Sequence, residues 1–310
     1  MTIATALSGV IPPVCTPLSP DGEVDTRSLV RLVDHLIEGG VNGLFVLGST
    51  SEVAFLPDRH RKVVLETVVG HVAGQVPVLA GAIDMTTLRV LDHAREAVRL
   101  GADGVVVTAP YYTRTHPAEI EGHFRAVASG AGVPVYAYDL PVSVHSKLSG
   151  ELLLNLGADG VLAGVKDSSG DEGAFRGLLV GRRERAGLES FSVLTGGELT
   201  VDCALWMGAD GVVPGLGNVD PHGYARLYRS AVAGDWEAAR VEQERLLRLF
   251  QFVTVGGTRM GGSSSALGAF KAALYLRGII THPTTAAPQI PLDEDEIARV
   301  GKYLAAAGLI

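Results

Sequence analysis

The segment Gly101-Ala102-Asp103-Gly104-Val105 occurs three times in the chain, and its repetition sets the architecture. It returns as Gly157-Ala158-Asp159-Gly160-Val161 and again as Gly208-Ala209-Asp210-Gly211-Val212. In each copy the first glycine is expected to end a helix in the left-handed conformation, before a polar turn and a buried strand. The earlier segment Val41-Asn42-Gly43 is expected to do the same. These joints indicate a chain built from repeated helix-to-strand units.

Short apolar runs alternate with longer amphipathic segments around these joints. The predicted strands are Gly9–Cys15, Gly43–Leu47, Val76–Ala80, Gly104–Thr108, Val133–Ala137, Leu162–Lys166, Phe191–Thr195 and Gly211–Pro214. The predicted helices between them are Ser28–Ile37, Pro57–His71, Leu88–Arg99, Ala118–Ala128, Gly150–Leu156, Gly173–Arg185 and Leu199–Met207. Strands that alternate with helices in this way predict a parallel sheet with right-handed crossovers.

The fold class predicted from this pattern is α/β, a (β/α)8 TIM barrel with a C-terminal helical extension. Residues 1–220 would form the barrel core, and residues 221–310 the last barrel helix plus the extension, packed with the barrel as one unit. The four predicted helices of this second part are Pro221–Ala233, Trp236–Val253, Ala266–Arg277 and Glu294–Ala307. No Gly-x-Gly-x-x-Gly opens the first strand-to-helix turn, which disfavours the doubly wound dinucleotide-binding fold.

Composition excludes several classes of protein. Hydrophobic residues make up 47% of the 310 residues and charged residues 19%, which excludes a disordered chain. The net charge, 26 − 34 = −8, argues against a nucleic-acid binder and against a polybasic membrane-surface protein. The chain shows neither a signal-peptide pattern nor an apolar run of membrane-spanning length, so a cytoplasmic location is expected. Cys15 and Cys203 are expected to be buried thiols, and the nine histidines show no metal-binding spacing.

Lys166 is the residue most indicative of chemistry. It ends the apolar run Val161–Val165 and precedes Asp167-Ser168-Ser169-Gly170. A lysine at the end of a buried barrel strand projects into the mouth of the barrel, where active sites of this fold lie. Partial desolvation there disfavours the ammonium and leaves an amine that forms Schiff bases with carbonyl compounds. The alternative is a solvated lysine that begins a loop.

Tyrosines follow two other predicted strands. Tyr138 comes two residues after Tyr136, so both point to the same side of one strand, and Tyr111-Tyr112 follows another strand. A tyrosine hydroxyl at the barrel mouth is suited to donate or relay a proton. The alternative for each is an aromatic side chain that packs the rim.

Two further segments contain polar groups suited to binding. Gly48-Ser49-Thr50-Ser51-Glu52 follows the second predicted strand and offers hydroxyls and backbone N–H groups to an anion such as a carboxylate, or else caps the next helix. His145 lies in a loop shortly after Tyr138 and is a candidate for lining the site. The glycine- and serine-rich stretch 256–265 lacks the Gly-Lys-Ser/Thr of a P-loop and is interpreted as a flexible loop before a helix at Ala266.

Taken together, four of these segments resemble the dihydrodipicolinate synthase/N-acetylneuraminate lyase family. They are Gly48-Ser49-Thr50-Ser51-Glu52, Ala109-Pro110-Tyr111-Tyr112, Tyr138-Asp139-Leu140-Pro141 and Gly164-Val165-Lys166-Asp167. The resemblance covers nearly the whole chain, including the helical tail. It implies class I aldolase chemistry on pyruvate or another 2-oxo acid, with no metal, nicotinamide or phosphate cofactor because the lysine imine is itself the electron sink.

The resemblance also implies residue roles. Lys166 would form the Schiff base, Tyr138 would be the general acid and base, and Thr50 would relay protons to Tyr138. Ser49 with Thr50 would hold the substrate carboxylate. Tyr112 matches a tyrosine that comes from the neighbouring subunit, so a homotetramer built as a dimer of dimers is expected, with small-molecule substrates as the only other partners.

The second-substrate pocket departs from the family pattern. Synthases of the family carry an arginine where this chain has Ser143, and the usual neighbouring glycine is His145 here. In sugar-acid aldolases the loop after strand seven contacts the substrate, and here Glu198 in that loop could bind substrate hydroxyls. The residues expected to bind substrate are therefore Ser49, Gly48, Gly196, Glu198, Val213, Ser143 and His145.

The function expected from these residues is a Schiff-base lyase that joins or separates pyruvate and an aldehyde. Its substrate would be a 2-keto-3-deoxy sugar acid or a related 4-hydroxy-2-oxo acid. Three alternatives stay open: 4-hydroxy-tetrahydrodipicolinate synthase, a Schiff-base dehydratase of a keto-deoxy sugar acid, and a catalytically silent barrel that binds an oxo acid.

Overall fold

Eight parallel strands form the centre of the molecule, in a computed structural model that describes residues 6–310. The strands are β1 (Gly9–Val10), β2 (Leu44–Val46), β3 (Val78–Gly81), β4 (Gly104–Thr108), β5 (Val135–Asp139), β6 (Gly164–Asp167), β7 (Ser192–Thr195) and β8 (Gly211–Val212). Their order, β1-β8-β7-β6-β5-β4-β3-β2, follows the chain around a ring. The predicted (β/α)8 TIM barrel is therefore confirmed.

The ring closes between the first two strands through very few bonds. Val14 N–H donates to the Phe45 carbonyl at 2.8 Å, and Phe45 N–H donates to the Pro12 carbonyl at 3.1 Å. Pro12 and Pro13 lack an N–H donor, so they cannot continue a regular strand ladder. This explains why β1 ends at Val10 although the apolar sequence predicts a strand to Cys15.

The helices alternate with the strands as the sequence predicts. They are α1 (Thr26–Glu38), α2 (Asp58–Val72), α3 (Thr87–Arg99), α4 (Pro117–Ala131), α5 (Pro141–Val144), α6 (Gly150–Ala158), α7 (Glu172–Glu184), α8 (Val201–Met207), α9 (Pro221–Val232), α10 (Trp236–Phe250), α11 (Gly262–Leu276) and α12 (Glu294–Ala306). Two 3-10 turns, Gly215–Asn218 and Gln251–Thr254, complete the elements of residues 6–310. Over the described residues no helix is long and apolar enough to cross a membrane.

The polar residue of the helix-to-strand joint accepts a hydrogen bond from a neighbouring strand at Asn42, Asp103 and Asp210. Asp103 accepts a hydrogen bond from the backbone N–H of Val78, and Asp210 accepts one from Val193 N–H. Asn42 likewise accepts from Val10 N–H. Each carboxylate or amide thus satisfies a backbone donor at or next to the start of a neighbouring strand.

Glycine ends the helix with a positive φ in two of the three copies, at Gly101 (94°) and Gly208 (102°). The expectation is wrong for Gly157, because α6 continues through it to Ala158 and Gly160 adopts the positive φ of 69° instead. A Cβ at Gly157 would lie 2.6 Å from the Phe191 ring, so glycine is needed there for close packing.

The C-terminal extension packs against the barrel mouth and the outer helices. α10 packs on α8 and α9, while α11 packs on α12 and the 3-10 turn Gln251–Thr254. α11 begins at Gly262, four residues before the predicted start at Ala266. The buried hydroxyl of Ser265 fixes this first turn, since it donates to the Val253 carbonyl at 2.6 Å and accepts from Gly256 N–H at 3.0 Å.

The centre of the barrel is a packed core, as the fold requires. Its interior side chains, which include Phe45, Val106, Tyr136 and Val213, leave a gap of only about 10 Å³ below Lys166. Cys15 is buried as expected. The expectation for Cys203 is wrong, because it lies on the outer side of α8 and is exposed.

Candidate active site

Lys166 and Tyr138 lie side by side at the carboxyl ends of neighbouring strands. They are register partners in the pairing of β5 with β6. Lys166 is 7% exposed and Tyr138 3%, so both functional groups lie below the surface of the mouth. The Lys166 Nζ lies 4.1 Å from the centroid of the Tyr138 ring and 5.2 Å from that of Phe45. This arrangement places an amine and a phenol in one water-poor recess.

Ser49 supplies the nearest partner of the Tyr138 hydroxyl. The Ser49 Oγ lies 3.4 Å from the Tyr138 Oη, within hydrogen-bond reach. Thr50, which the family resemblance assigns to the proton relay, is half-buried and makes no side-chain hydrogen bond within residues 6–310. In this geometry the turn directs the hydroxyl of Ser49, and not that of Thr50, toward the tyrosine.

The Tyr138 phenol has a pKa below its usual value of 10. Burial alone would raise the pKa of Tyr138, but the positive charge of Lys166 opposes this effect, and hydrogen bonds from Ser49, Lys166 and Ser168 lower the pKa further. A phenol shifted in this direction exchanges its proton more readily near neutral pH. The electrostatics therefore suit Tyr138 to proton transfer.

The turn after β2 is held rigidly beneath Ser49. The Ser51 hydroxyl donates to the Val14 carbonyl at 2.5 Å and accepts from Gly48 N–H at 3.2 Å. Leu47 and Glu52 both have positive φ, 59° and 62°, an uncommon conformation for residues with side chains. Gly48 is buried against Phe45, whose ring would lie 2.6 Å from a Cβ at that position. The turn is therefore fixed by tertiary contacts.

Gly196 lies directly against the lysine. A Cβ there would stand 3.1 Å from Lys166 Cε and 2.0 Å from the Ser168 Oγ. Gly196 N–H donates to the Asp167 carbonyl at 2.7 Å, which ties the loop after β7 to the end of β6. Val213, another residue expected to bind substrate, lines the small gap in the barrel interior beside Lys166.

The Glu198 carboxylate already has hydrogen-bond partners within the protein. Its Oε1 accepts from Leu216 N–H at 2.7 Å and from the Tyr224 hydroxyl at 2.9 Å. Desolvation raises the pKa of Glu198 to about 7, against the opposing effects of these hydrogen bonds and of the Lys166 charge. The carboxyl expected to bind substrate hydroxyls instead anchors the 3-10 turn after β8.

An ionic bracket that sequence reasoning missed, formed by two buried carboxylates and a lysine whose side chain is about a third exposed, holds the ends of β5 and β6 together. Lys147 pairs with Asp139, and its Nζ lies 3.7 Å from the Asp167 Oδ2. Asp139 also accepts from Leu148 N–H at 3.1 Å. Burial raises the pKa of Asp139 despite the Lys147 hydrogen bond. The sequence feature that could have indicated this bracket is an aspartate directly after each reactive residue, Asp139 after Tyr138 and Asp167 after Lys166.

A cavity of about 210 Å³ opens beside Ser49, whose hydroxyl lies 3.4 Å from that of Tyr138. Its lining includes Ser143, whereas His145 is exposed at the end of α5 and is not among the residues of the described chain that line it. Sequence reasoning missed Ser263 and Leu267, which α11 contributes to the wall. The complete lining is Ser49, Val53, Ala54, Phe55, Ile83, Thr108, Tyr111, Leu140, Ser143, Val144, Ser263 and Leu267.

Tyr112 points away from this recess. Its side chain is 89% exposed and its backbone has a φ of 71°. Its neighbour Tyr111 is half-buried and lines the cavity. The two adjacent tyrosines thus face different surroundings, and Tyr112 contributes nothing to the site of its own chain.

Comparisons with known proteins identify the family of the chain. The model of the dihydrodipicolinate synthetase family matches residues 6–307. A protein of Halobacterium salinarum described as an uncharacterized DapA-like lyase is 34% identical over 304 residues, which cover 98% of this chain and 95% of the relative. A 4-hydroxy-tetrahydrodipicolinate synthase of Kineococcus radiotolerans is 33% identical over 306 residues, which cover 98% and 93% of the two chains.

Solved structures give the same result. YagE of E. coli K12, a prophage protein of the dihydrodipicolinic acid synthase family solved in complex with pyruvate, superposes with a TM-score of 0.89 at 29% identity. The superposition covers 98% of this chain and 99% of YagE. The chain therefore belongs to the dihydrodipicolinate synthetase family and is a lyase of that family.

Proposed function

We propose that this chain is a Schiff-base lyase that interconverts a 4-hydroxy-2-oxo acid with pyruvate and an aldehyde. The observation that carries the proposal is the enclosure of Lys166 beside the phenol of Tyr138, whose hydroxyl has Ser49 as its partner. An enclosed amine is suited to attack a ketone carbon, and a phenol of lowered pKa is suited to exchange the proton that the reaction requires.

The reaction in the synthetic direction begins at the lysine. The Lys166 amine adds to C2 of pyruvate, and a proton from Tyr138 helps one water to leave as the protonated imine forms. The Tyr138 phenolate then takes a methyl proton, which gives the enamine, and the enamine carbon attacks the aldehyde carbon to form the new C–C bond. Tyr138 gives this proton to the aldehyde oxygen and recovers one, through Ser49, from the water that adds to the imine. Water then hydrolyses the imine and frees Lys166, so no external oxidant or reductant is needed.

The synthase alternative has weaker support at the second substrate. An exposed serine, Ser143, lines the cavity where synthases of the family carry an arginine. A dehydratase would use the same imine at Lys166 but would break a C–O bond. Product analysis separates the two, because a dehydratase releases water from the oxo acid and leaves its carbon chain intact.

Borohydride trapping tests the proposed mechanism directly. Incubation with pyruvate and borohydride followed by peptide mapping should give a reduced pyruvyl adduct on Lys166. Lys166→Arg, which keeps the charge but not the nucleophile, should give no adduct. In the unaltered protein, the exposed Lys62 should also carry no adduct. Absence of the adduct on folded protein at saturating pyruvate would overturn the proposal.

We also propose that the enzyme acts as a homotetramer in which Tyr112 reaches the site of a neighbouring subunit. The exposure of this ring supports the tetramer proposal, because a large exposed aromatic side chain is available to pack against a neighbouring subunit. Activity should fall when the protein is diluted until it dissociates, as followed by analytical ultracentrifugation. A fully active monomer would remove this part of the proposal.

A further inference from the structure

The cavity beside Ser49 has a mainly apolar buried wall, and its exposed rim is mixed, with Ala54 and Phe55 there as well as serines. Val53, Ile83, Val144 and Leu267 are buried wall residues, with exposures of 2%, 8%, 6% and 8%. Ser263, by contrast, is exposed at the rim, as Ser143 is. A ligand that extends past Ser49 into this space therefore contacts mostly hydrocarbon along the buried wall.

The deep wall has little capacity for hydrogen bonding. The Ser49 hydroxyl is already the partner of Tyr138. The Thr108 Oγ1 is buried and has no hydrogen-bond partner within residues 6–310, and the half-buried Tyr111 supplies one further hydroxyl to the lining, so two positions are open to ligand atoms. A chain with several hydroxyls would leave most of them without partners, and burial of an unpaired hydroxyl is unfavourable.

The wall also lacks a partner for a second carboxylate. Within the described part of the chain, no charged side chain lines the cavity. Arg61 lies behind the wall, because its guanidinium donates to the carbonyls of Val53 at 3.2 Å and of Ile83 at 3.3 Å. A carboxylate in the deep part would therefore be desolvated without compensation.

The volume indicates the size of the ligand. A cavity of about 150 Å³ lined by leucine, isoleucine and phenylalanine is large enough for benzene. The volume here is about 210 Å³. One aromatic ring or one short branched chain fits this space together with the carbon that reacts.

We infer that the second substrate is an uncharged aldehyde with a compact apolar chain or a single ring, and not a carboxylated or polyhydroxylated one. This inference rests on the proposed function, since the aldehyde must meet the pyruvate enamine on Lys166. The new bond joins the pyruvate methyl carbon to the aldehyde carbon, and the aldehyde oxygen takes its proton from Tyr138. The product is a 4-hydroxy-2-oxo acid with an apolar substituent at C4.

A panel of four aldehydes with pyruvate tests the inference. Benzaldehyde and 3-methylbutanal are the apolar members, glyceraldehyde is hydroxylated, and succinic semialdehyde carries a carboxylate. We expect kcat/KM for the better apolar aldehyde to exceed that for each polar one by at least about tenfold. Mass spectrometry of the products confirms that a C–C bond has formed.

Variants at the wall link the preference to this cavity. Leu267→Arg should lower kcat/KM for benzaldehyde by at least about tenfold while the Lys166 adduct with pyruvate still forms. Val232→Arg is the matched control, because Val232 is 70% exposed at the end of α9. Ser143→Arg changes an exposed residue, so it should fold, and it should raise the succinic semialdehyde to benzaldehyde ratio of kcat/KM by about tenfold or more.

The outcomes distinguish the two proposals. A pyruvyl adduct on Lys166 together with a preference for glyceraldehyde or succinic semialdehyde would overturn the inference and leave the Schiff-base function intact. An adduct without turnover of either apolar aldehyde would do the same. The lack of any adduct would overturn the proposed function, and the inference with it.

Discussion

Lys271 on α11 and Glu52 in the turn after β2 form an ion pair that is enclosed by the protein, with the two side chains 1% and 0% exposed. Lys271 also donates to the Thr284 carbonyl at 2.7 Å. Glu52 accepts from the backbone N–H of Ala286 and from the Gln289 side chain, both at 2.7 Å. Because this turn also carries Ser49, the C-terminal extension fixes the residue that contacts Tyr138.

Removal of one member of this pair should be strongly destabilising. Lys271→Met leaves the Glu52 carboxylate buried without its counter-charge, which in proteins costs about 3–5 kcal/mol. We expect a clear loss of thermal stability by calorimetry and a fall in kcat, since the Ser49 turn loses its support. Lys302→Met on the exposed face of α12 is the control and should change neither quantity measurably.

The double variant Glu52→Gln/Lys271→Met separates charge burial from packing. With both charges removed, the stability should recover in part relative to Lys271→Met alone. If Lys271→Met were as stable as the unaltered protein, the pair would not hold the extension to the turn.

Ser49, rather than Thr50, should control the ionisation of Tyr138. Removal of the Ser49 hydroxyl takes away a hydrogen bond that lowers the pKa of Tyr138, so the pKa should rise. If protonated Tyr138 is the acid, activity is lost as pH rises through this pKa. The alkaline limb of the kcat profile of Ser49→Ala should therefore move to higher pH.

The neighbouring hydroxyl provides the comparison. Thr50→Ala should leave the alkaline limb in place, and Tyr138→Phe should abolish the limb and lower kcat by about 100-fold or more. A shift of the limb in Thr50→Ala but not in Ser49→Ala would reverse the assignment of the relay.

Glu198 should make the stability of the protein depend on pH. The pKa of Glu198 in the folded protein, about 7, lies above its usual value of 4.5. The protonated carboxyl therefore stabilises the folded state fully below pH 4.5, and this stabilisation is lost as the pH rises through 7. Glu198→Gln removes this loss. The stability of the variant relative to the parent should rise between pH 5 and pH 8 by roughly 1–3 kcal/mol, since one pKa unit is about 1.4 kcal/mol.

Thermal unfolding at several pH values measures this effect. Glu189→Gln, which replaces an exposed carboxyl, is the control. A difference between Glu198→Gln and the parent that stays constant from pH 5 to pH 8 would contradict a raised pKa for Glu198.

Two adjacent glycines should differ in their tolerance of a methyl group. In Gly196→Ala the new Cβ would displace the Ser168 hydroxyl and would press on Lys166. We expect the rate of borohydride-trapped adduct formation to fall by about tenfold or more, because small misplacements of a reacting group are costly. In Gly197→Ala the nearest atom, Thr195 Oγ1, lies 3.4 Å away, so that rate should stay near the parent value.

Much of the fold was predictable from local pattern. The alternation of apolar runs with amphipathic segments, together with the glycine-aspartate joints, predicts the barrel, because each unit of strand and helix carries its own periodicity and its own turn residues. Helix ends deviate where a distant contact intervenes, as at Gly262, where the hydroxyl of Ser265 holds the first turn of α11.

The sequence by itself determined that Lys166 and Tyr138 end neighbouring strands, because residues at the ends of consecutive parallel strands meet at one edge of the barrel. Only the tertiary structure decided which hydroxyl reaches Tyr138, since Ser49 and Thr50 are adjacent in a turn whose direction depends on Glu52 and Lys271, 219 positions apart. The tertiary structure also decided that the Glu198 carboxylate accepts a hydrogen bond from the Tyr224 hydroxyl. The apolar wall of the cavity likewise includes a residue of α11, and no local pattern encodes such long-range contacts.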